Sequence, residues 1–211
     1  MYQMEDVLAV YLRPYDKRYP QLCMDEISKQ LVSEKRLPLP LAPGQTQCYD
    51  YEYERQGVRN IFIATEPLKG VRYTKVTEHR TKRDWVEFIR ELLDEQYAEA
   101  EKVVLVLDNL NTHILSAFYE FFPPEEARRL IDKLEIHYTP KHASWLNMAE
   151  IELSVLSGQC LDRRIGTEEE LKQEVAAWQQ QRNSSQATIN WRFTTQDART
   201  KLKHLYPAIS A

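Results

Sequence analysis

The sequence predicts an α/β protein, a mixed sheet with helices packed on it. Residues 103–107 (V-V-L-V-L) are too few for a free-standing helix and too uniformly apolar for a half-exposed one, so they read as a strand buried on both faces. Residues 47–55 and Val71–Thr77 alternate side chains as half-buried strands do, and residues 60–65 (N-I-F-I-A-T) supply an apolar partner between them. From residue 81 onward, helical periodicities interleave with the later strands. Strands first, then strands alternating with helices, is the order of a mixed α+β sheet. With 211 residues, 43% of them apolar, the chain suffices for one globular domain with a proper core.

In order along the chain, residues 5–12 carry apolar groups at helical spacing until Arg13-Pro14 stops them. So short an opening helix reads as the tail of something longer. The run Q-L-C-M-D-E after Pro20 predicts a short strand ending in Asp25. Pro38, Pro40 and Pro43 then make an extended loop, a surface linker or a segment that contacts DNA or a second subunit. Gly57 separates residues 47–55 from 60–65 as an antiparallel hairpin. Thr81 opens an amphipathic helix to about residue 98 with Trp85, Phe88, Ile89, Leu92 and Leu93 on one face. After the central strand, residues 114–122 read as helix, Pro123-Pro124 breaks it, and residues 125–130 resume it. Leu134–Tyr138 is a short strand, residues 139–144 a basic turn, and residues 145–156 a helix. Thr167 starts a further capped helix, and residues 194–206 form the last one.

The net charge of −4 argues against binding nucleic acid through a generally basic surface and leaves only local patches for it. Cys23, Cys48 and Cys160 are odd in number and lack C-x-x-C spacing, which supports neither a disulfide framework nor a zinc site and fits a reducing compartment. No stretch approaches the roughly 20 apolar residues of a membrane span, and the N-terminus lacks a secretory signal, so a cytoplasmic location is expected. No internal repeat is present.

The residues that carry chemistry are acidic. Asp108 follows the central strand directly, where functional groups of such sheets collect; Asp108-Asn109 with Asn111-Thr112-His113 also suits a strand stop and an Asx turn or helix cap. Asp25 stands at a second expected strand end and Glu150 on a helix beside the basic turn. Phosphodiester cleavage needs such a set: hard cations take oxygen ligands, and two of them activate a water and steady the leaving oxygen. The plain alternative is two strand stops and a solvated helix face.

The blocks Asp108-Asn109-Leu110-Asn111-Thr112-His113 and Thr139-Pro140-Lys141-His142-Ala143-Ser144-Trp145-Leu146-Asn147-Met148-Ala149-Glu150 resemble the catalytic core of IS630-type transposases, relatives of the Tc1/mariner group. The resemblance runs from about Met4 to Pro207 and includes Met24-Asp25-Glu26, Tyr51-Glu52-Tyr53, residues 160–164 and residues 191–195. It implies a ribonuclease-H-like fold, with helices on both faces of a five-stranded mixed sheet. It also implies an acid triad, Asp25, Asp108 and Glu150, binding two magnesium or manganese ions. Water would cut the DNA at each transposon end, and the freed 3' hydroxyl would attack target DNA, typically at TA. The implied partners are double-stranded DNA and a second copy of the chain, in the cytoplasm and nucleoid-associated when bound. Asn109, His113, Lys141 and His142 would contact DNA or support the acids, with a helix cap and a surface loop as the plain readings of the two histidines. Lys29 is a further candidate for phosphate.

The chain departs from the family in three ways. Between Asp108 and Glu150 lie 41 residues, more than in the Tc1/mariner branch, with the excess expected around residues 121–130. No N-terminal helix-turn-helix region is recognised, so residues 1–211 read as an isolated catalytic domain. Gly158 occupies a helical position where relatives carry a basic residue. Glu150 and Glu152 lie about 160° apart on a helical wheel and cannot both face one site. Periodicity buries Glu152, which then needs an arginine or a metal; the Asn-x-x-Glu motif selects Glu150, with Glu152 as replacement. The leading function is a DNA-cleaving and strand-transferring enzyme. The alternatives are a non-catalytic, transposase-derived domain that binds DNA or multimerises, and another ribonuclease-H-like nuclease.

Overall fold

The computed structural model describes residues 1–35, 43–44 and 52–207. In chain order these form α1 (Tyr2–Tyr11), β1 (Gln21–Glu34), β2 (Tyr53–Glu66), β3 (Val71–Thr77), α2 (Lys82–Glu91), β4 (Val103–Leu107), α3 (Ser116–Phe121), α4 (Pro124–Asp132), β5 (Leu134–Tyr138), α5 (Ala149–Leu156), α6 (Glu168–Ser184) and α7 (Thr195–Lys201). The strands make one sheet in the order β3-β2-β1-β4-β5. β1 pairs antiparallel with β2, and β2 with β3, whereas β4 pairs parallel with both β1 and β5.

The central strands are apolar on both faces, so the sheet needs cover on both sides. Val104 and Val106 join Cys23, Ile61 and Ile63 under α1, α5, α6 and α7. Val103, Leu105 and Leu107 join Leu22, Met24, Phe62 and Ala64 under α2, α3 and α4. Helices thus cover both faces, as expected. Capping residues start three of them: Thr81 and Thr194 form capping boxes with Asp84 and Asp197, and the Thr167 side chain accepts from the Glu170 N–H.

Several elements differ from their sequence-based expectation. Asp25 does not end a strand, because β1 continues to Glu34 and β2 pairs along its whole outer length. Residues 60–65 are not half of a hairpin with the segment before them; from Tyr53 onward the chain is a single strand, and its partner is β1. Gly57, with φ +99°, sits opposite the register shift between Gln30 and Val32, so it is a bulge residue rather than a turn. Residues 37–42 of the proline-rich run and residues 47–51 lie outside the described residues. The long helix expected from Thr81 ends at Glu91 and continues as a π-helical turn, Leu92–Gln96. α5 begins at Ala149 rather than at Trp145, after a 3₁₀ turn at Ser144–Leu146. Gly158 falls in a second π-helical turn, Ser157–Leu161.

A buried ion cluster ties α5 to the sheet. Asn183 and Gln179 of α6 hydrogen-bond the outward backbone groups of Arg72 and Thr74 in β3, which closes an otherwise open sheet edge. The Arg72 side chain is fully buried and donates from Nε and Nη2 to both Glu152 oxygens, each at 2.8 Å. Arg182 of α6 donates to the same carboxylate at 3.0 and 3.2 Å. Close approach of the backbone completes the pocket: Gly70, at φ +74°, accepts from Arg72 Nη1, and a Cβ there would lie 2.6 Å from the Gln186 backbone. Removing one partner of a buried pair strands the other charge. Arg72→Met is therefore expected to lower stability by about 3–5 kcal/mol in urea unfolding. Arg72→Met with Glu152→Met should recover most of it, since Arg182 is partly exposed and can turn to water.

Candidate active site

Strand register assembles the acids. β1 and β4 run parallel with Cys23 opposite Val106, and two more residues along this register bring Asp25 level with Asp108 just past the end of β4. Neighbouring strands lie about 4.8 Å apart, so the two carboxyl groups share one end of the sheet. Asp25 takes the face of Cys23, and that face is covered by α5, whose first turn carries Glu150. Asn147, fully buried, locks this junction. Its Nδ2 donates to Met24 O at 2.8 Å and approaches Asp25 Oδ2 at 3.3 Å, while its Oδ1 accepts from the Ala149 N–H at the start of α5.

Burial, joined by the charges of Glu150, Glu26 and Asp108 and opposed by a hydrogen bond from the Glu26 N–H, pushes the Asp25 carboxyl up to about 7. Asp25 thus registers both other acids electrostatically. Among the described residues, no three His, Cys, Asp or Glu side chains converge closely enough to chelate a metal ion. The donor set nonetheless suits a hard cation: its donors are carboxylate oxygens, and at Asp25 burial and like charge oppose ionisation, the situation a bound cation relieves.

On the opposite face Glu26 and His113 form a second layer. His113 is 1% exposed, packs against Trp85 with ring centroids 5.4 Å apart and planes tilted by 37°, and places Nδ1 2.7 Å from Asp108 Oδ1. Its Nε2 lies 3.4 Å from Glu26 Oε2, an ion-pair approach without hydrogen-bond geometry. Burial alone would lower its pKa, but the hydrogen bond with Asp108 and the close negative charges of Glu26 and Asp108 outweigh it and lift the imidazole to about 9. A protonated ring therefore ties β1 to the end of β4.

Asn109, Lys141 and His142 are exposed on the loops that follow β4 and β5. His142 adopts φ +66°, a strained conformation for a residue with a side chain. The Lys29 ammonium donates to Leu161 O at 2.5 Å and Arg163 O at 2.9 Å, at the end of a helical segment. Glu152 is buried with arginine partners, as its position on the helical wheel requires, and Arg72 and Arg182 overcome the effect of burial and hold it below the usual glutamate range. Glu150, half-buried, is the α5 acid whose charge reaches Asp25.

Glu26 and Asn147 were quoted in the sequence motifs without a role. For Glu26 a signal existed: a second charge beside Asp25 in an apolar strand must point to the other face. For Asn147 none did, because its bond to Met24 O spans 123 residues.

The fold is ribonuclease-H-like and has been seen before. The Mos1 mariner paired-end complex with Mn aligns at TM-score 0.58 and 16% identity, covering 88% of this chain and 55% of that one. The Mos1 strand transfer complex aligns at 0.57 and 16% identity, covering 84% and 52%, and a pre-cleavage Mos1 transpososome at 0.54 and 15%, covering 90% and 62%. The chain thus spans somewhat over half the length of these Mos1 chains. A search of curated proteins found no match. A family profile described as DDE superfamily endonuclease matches residues 20–172, most of the chain, and the protein belongs to that family.

The raised Asp25 pKa has a consequence for stability. In the folded state without cations the carboxyl binds its proton more tightly than when unfolded, so its favourable contribution is complete below about pH 4 and is lost as pH rises through about 7. Asp25→Asn is therefore expected to stabilise the cation-free protein at pH 8 by roughly 2–4 kcal/mol, with little effect at pH 4. Thermal melting at the two pH values checks this.

Proposed function

We propose that the chain is the catalytic core of an IS630-type transposase, which cuts phosphodiester bonds at transposon ends and joins the 3' ends to target DNA. The observation that carries this reading is the grouping of Asp25, Asp108 and Glu150, expressed in the elevated pKa of Asp25. Two divalent cations, magnesium or manganese, held by these three carboxylates would supply Lewis-acid charge stabilisation and a water of lowered pKa for in-line displacement. The protein's own residues prepare the site. Asn147 orients the Asp25 carboxyl, and His113 holds Asp108 Oδ1, leaving Oδ2 free to face a substrate.

Lys141 and His142, exposed on the loop after β5, are assigned to DNA phosphate, and Asn109 to the substrate side of Asp108. The Mos1 neighbours are paired-end and strand transfer complexes, and on that ground double-stranded DNA and a homodimer are proposed here. Among the described residues no helix is long and apolar enough to cross a membrane. A cytoplasmic, nucleoid-associated enzyme fits this reading.

The test is nicking of supercoiled plasmid. Magnesium- or manganese-dependent nicking is expected, abolished by chelation and reduced at least about a hundredfold by Asp108→Ala and by Glu150→Ala. Nicking that survives both substitutions sinks the triad. DNA binding without nicking by the folded parent favours the non-catalytic, transposase-derived reading instead.

A further inference from the structure

We propose that Tyr11 is a positioning residue for the candidate active site: its hydroxyl fixes the backbone at Asn147 and, through it, the Asp25 carboxyl and the start of α5. This rests on the reading of Asp25, Asp108 and Glu150 as the reactive acids. Tyr11 is the last residue of α1, and its bond to the turn before α5 spans 135 residues.

The chain changes conformation at Asn147. The 3₁₀ turn Ser144–Leu146 ends there, Asn147 is extended at φ −82° and ψ 113°, and α5 begins at Ala149. The Asn147 side chain faces two ways, Nδ2 to Met24 O and Asp25 Oδ2, Oδ1 to the Ala149 N–H. Its backbone carbonyl accepts from the Glu150 N–H at 3.1 Å. The orientation of the Asp25 carboxyl and the placement of the Glu150 backbone therefore pass through one residue.

Tyr11 holds the residues on either side of it. Its hydroxyl donates to Leu146 O at 2.6 Å. The Met148 backbone N–H bears on the same hydroxyl and on the Cys23 thiol, favouring the charged form of each. Cys23 Sγ lies 3.5 Å from the hydroxyl, and because the single hydroxyl hydrogen goes to Leu146 O, the thiol is the donor in that contact. Cys23 stands two residues before Asp25 on the same face of β1. One oxygen thus meets β1 and both flanks of Asn147. The ring is held too: it packs against Trp191 with centroids 5.2 Å apart, and Val7, Leu8 and Val10 bury α1 in the core beneath. Packing alone does not account for a hydroxyl here, since phenylalanine fills the same space. Leu146 is fully buried, and a buried carbonyl needs a donor.

The experiment compares Tyr11→Phe with Tyr97→Phe, which removes an inward hydroxyl bonded to the buried Glu66 in the core on the other face of the sheet. Thermal melting sets a temperature at which every variant is folded. In the cation-free protein, amide hydrogen exchange at Ala149 and Glu150 is expected to quicken about twofold to tenfold in Tyr11→Phe and to stay unchanged in Tyr97→Phe. Binding of Mn2+, followed by the paramagnetic resonance of the free ion, should weaken by a similar factor in Tyr11→Phe alone. The cation concentration for half-maximal plasmid nicking should rise in step, with most of the maximal rate recovered at saturating cation. A merely structural hydroxyl would lower the melting temperature and leave that midpoint in place. Unchanged exchange at the two amides, or an unchanged Mn2+ affinity, in a parent that binds Mn2+ and nicks DNA overturns the role of Tyr11 while the reading of the acids stands. A folded parent that neither binds Mn2+ nor nicks overturns both.

Discussion

Parallel pairing of β1 with β4 brings Asp25 level with Asp108, and much else in the structure answers the repulsion this creates. Burial and the nearby charges of Glu150, Glu26 and Asp108 oppose the ionisation of Asp25. The protein supplies compensation unevenly. Asp108 has a protonated imidazole, and Glu152 has two guanidinium groups. Asp25 receives amide hydrogen bonds and remains hard to ionise. Residual strain at Asp25 is the local property that a cation or a proton relieves, and it separates this acid from the others in its neighbourhood.

The contrast between Glu150 and Glu152 shows how packing allots roles to like residues. Both lie in the first turn of α5. Glu152 faces the sheet and is neutralised by arginines from β3 and α6, so it fastens three elements together. That fastening fixes the rotation of α5 about its axis, and rotation decides which way Glu150 points. A buried ion cluster is weak evidence for net stability but a fitting device for specificity of this kind. Its geometry matters to the site although none of its members faces Asp25.

How much of this was legible in the sequence depended on the range of the interactions involved. The buried strand at Val103–Leu107, the strand at Leu134–Tyr138 and the helices capped by Thr81, Thr167 and Thr194 are specified by local pattern, and the structure contains them. The burial of Glu152, and its need for an arginine, followed from periodicity. Strand pairing was less accessible. Nothing within residues 20–26 indicates that β1 extends to Glu34, because its outer half is half-exposed and is held by pairing with β2. Gly57 looks the same in sequence whether it makes a turn or a bulge; only the partner strand decides. Asn147 and Glu26 acquire their roles through contacts across the chain that no local pattern encodes.

Register is what keeps the adjacent acids Asp25 and Glu26 apart in function. In a strand, neighbours point to opposite faces, so Asp25 turns toward α5 and Glu26 toward His113 and Trp85. A slip of one residue would exchange them and would also move Leu22, Cys23 and Met24 to the wrong cores. Those three residues, buried on alternate faces beside the acids, therefore specify the chemistry as well as the packing. The one irregularity in the β1–β2 ladder lies at Gln30–Val32, beyond the site, where Gly57 absorbs it. Near Asp25 the pairing runs unbroken from Cys23 to Gln30, and the position of the acid is as well determined as the core beneath it.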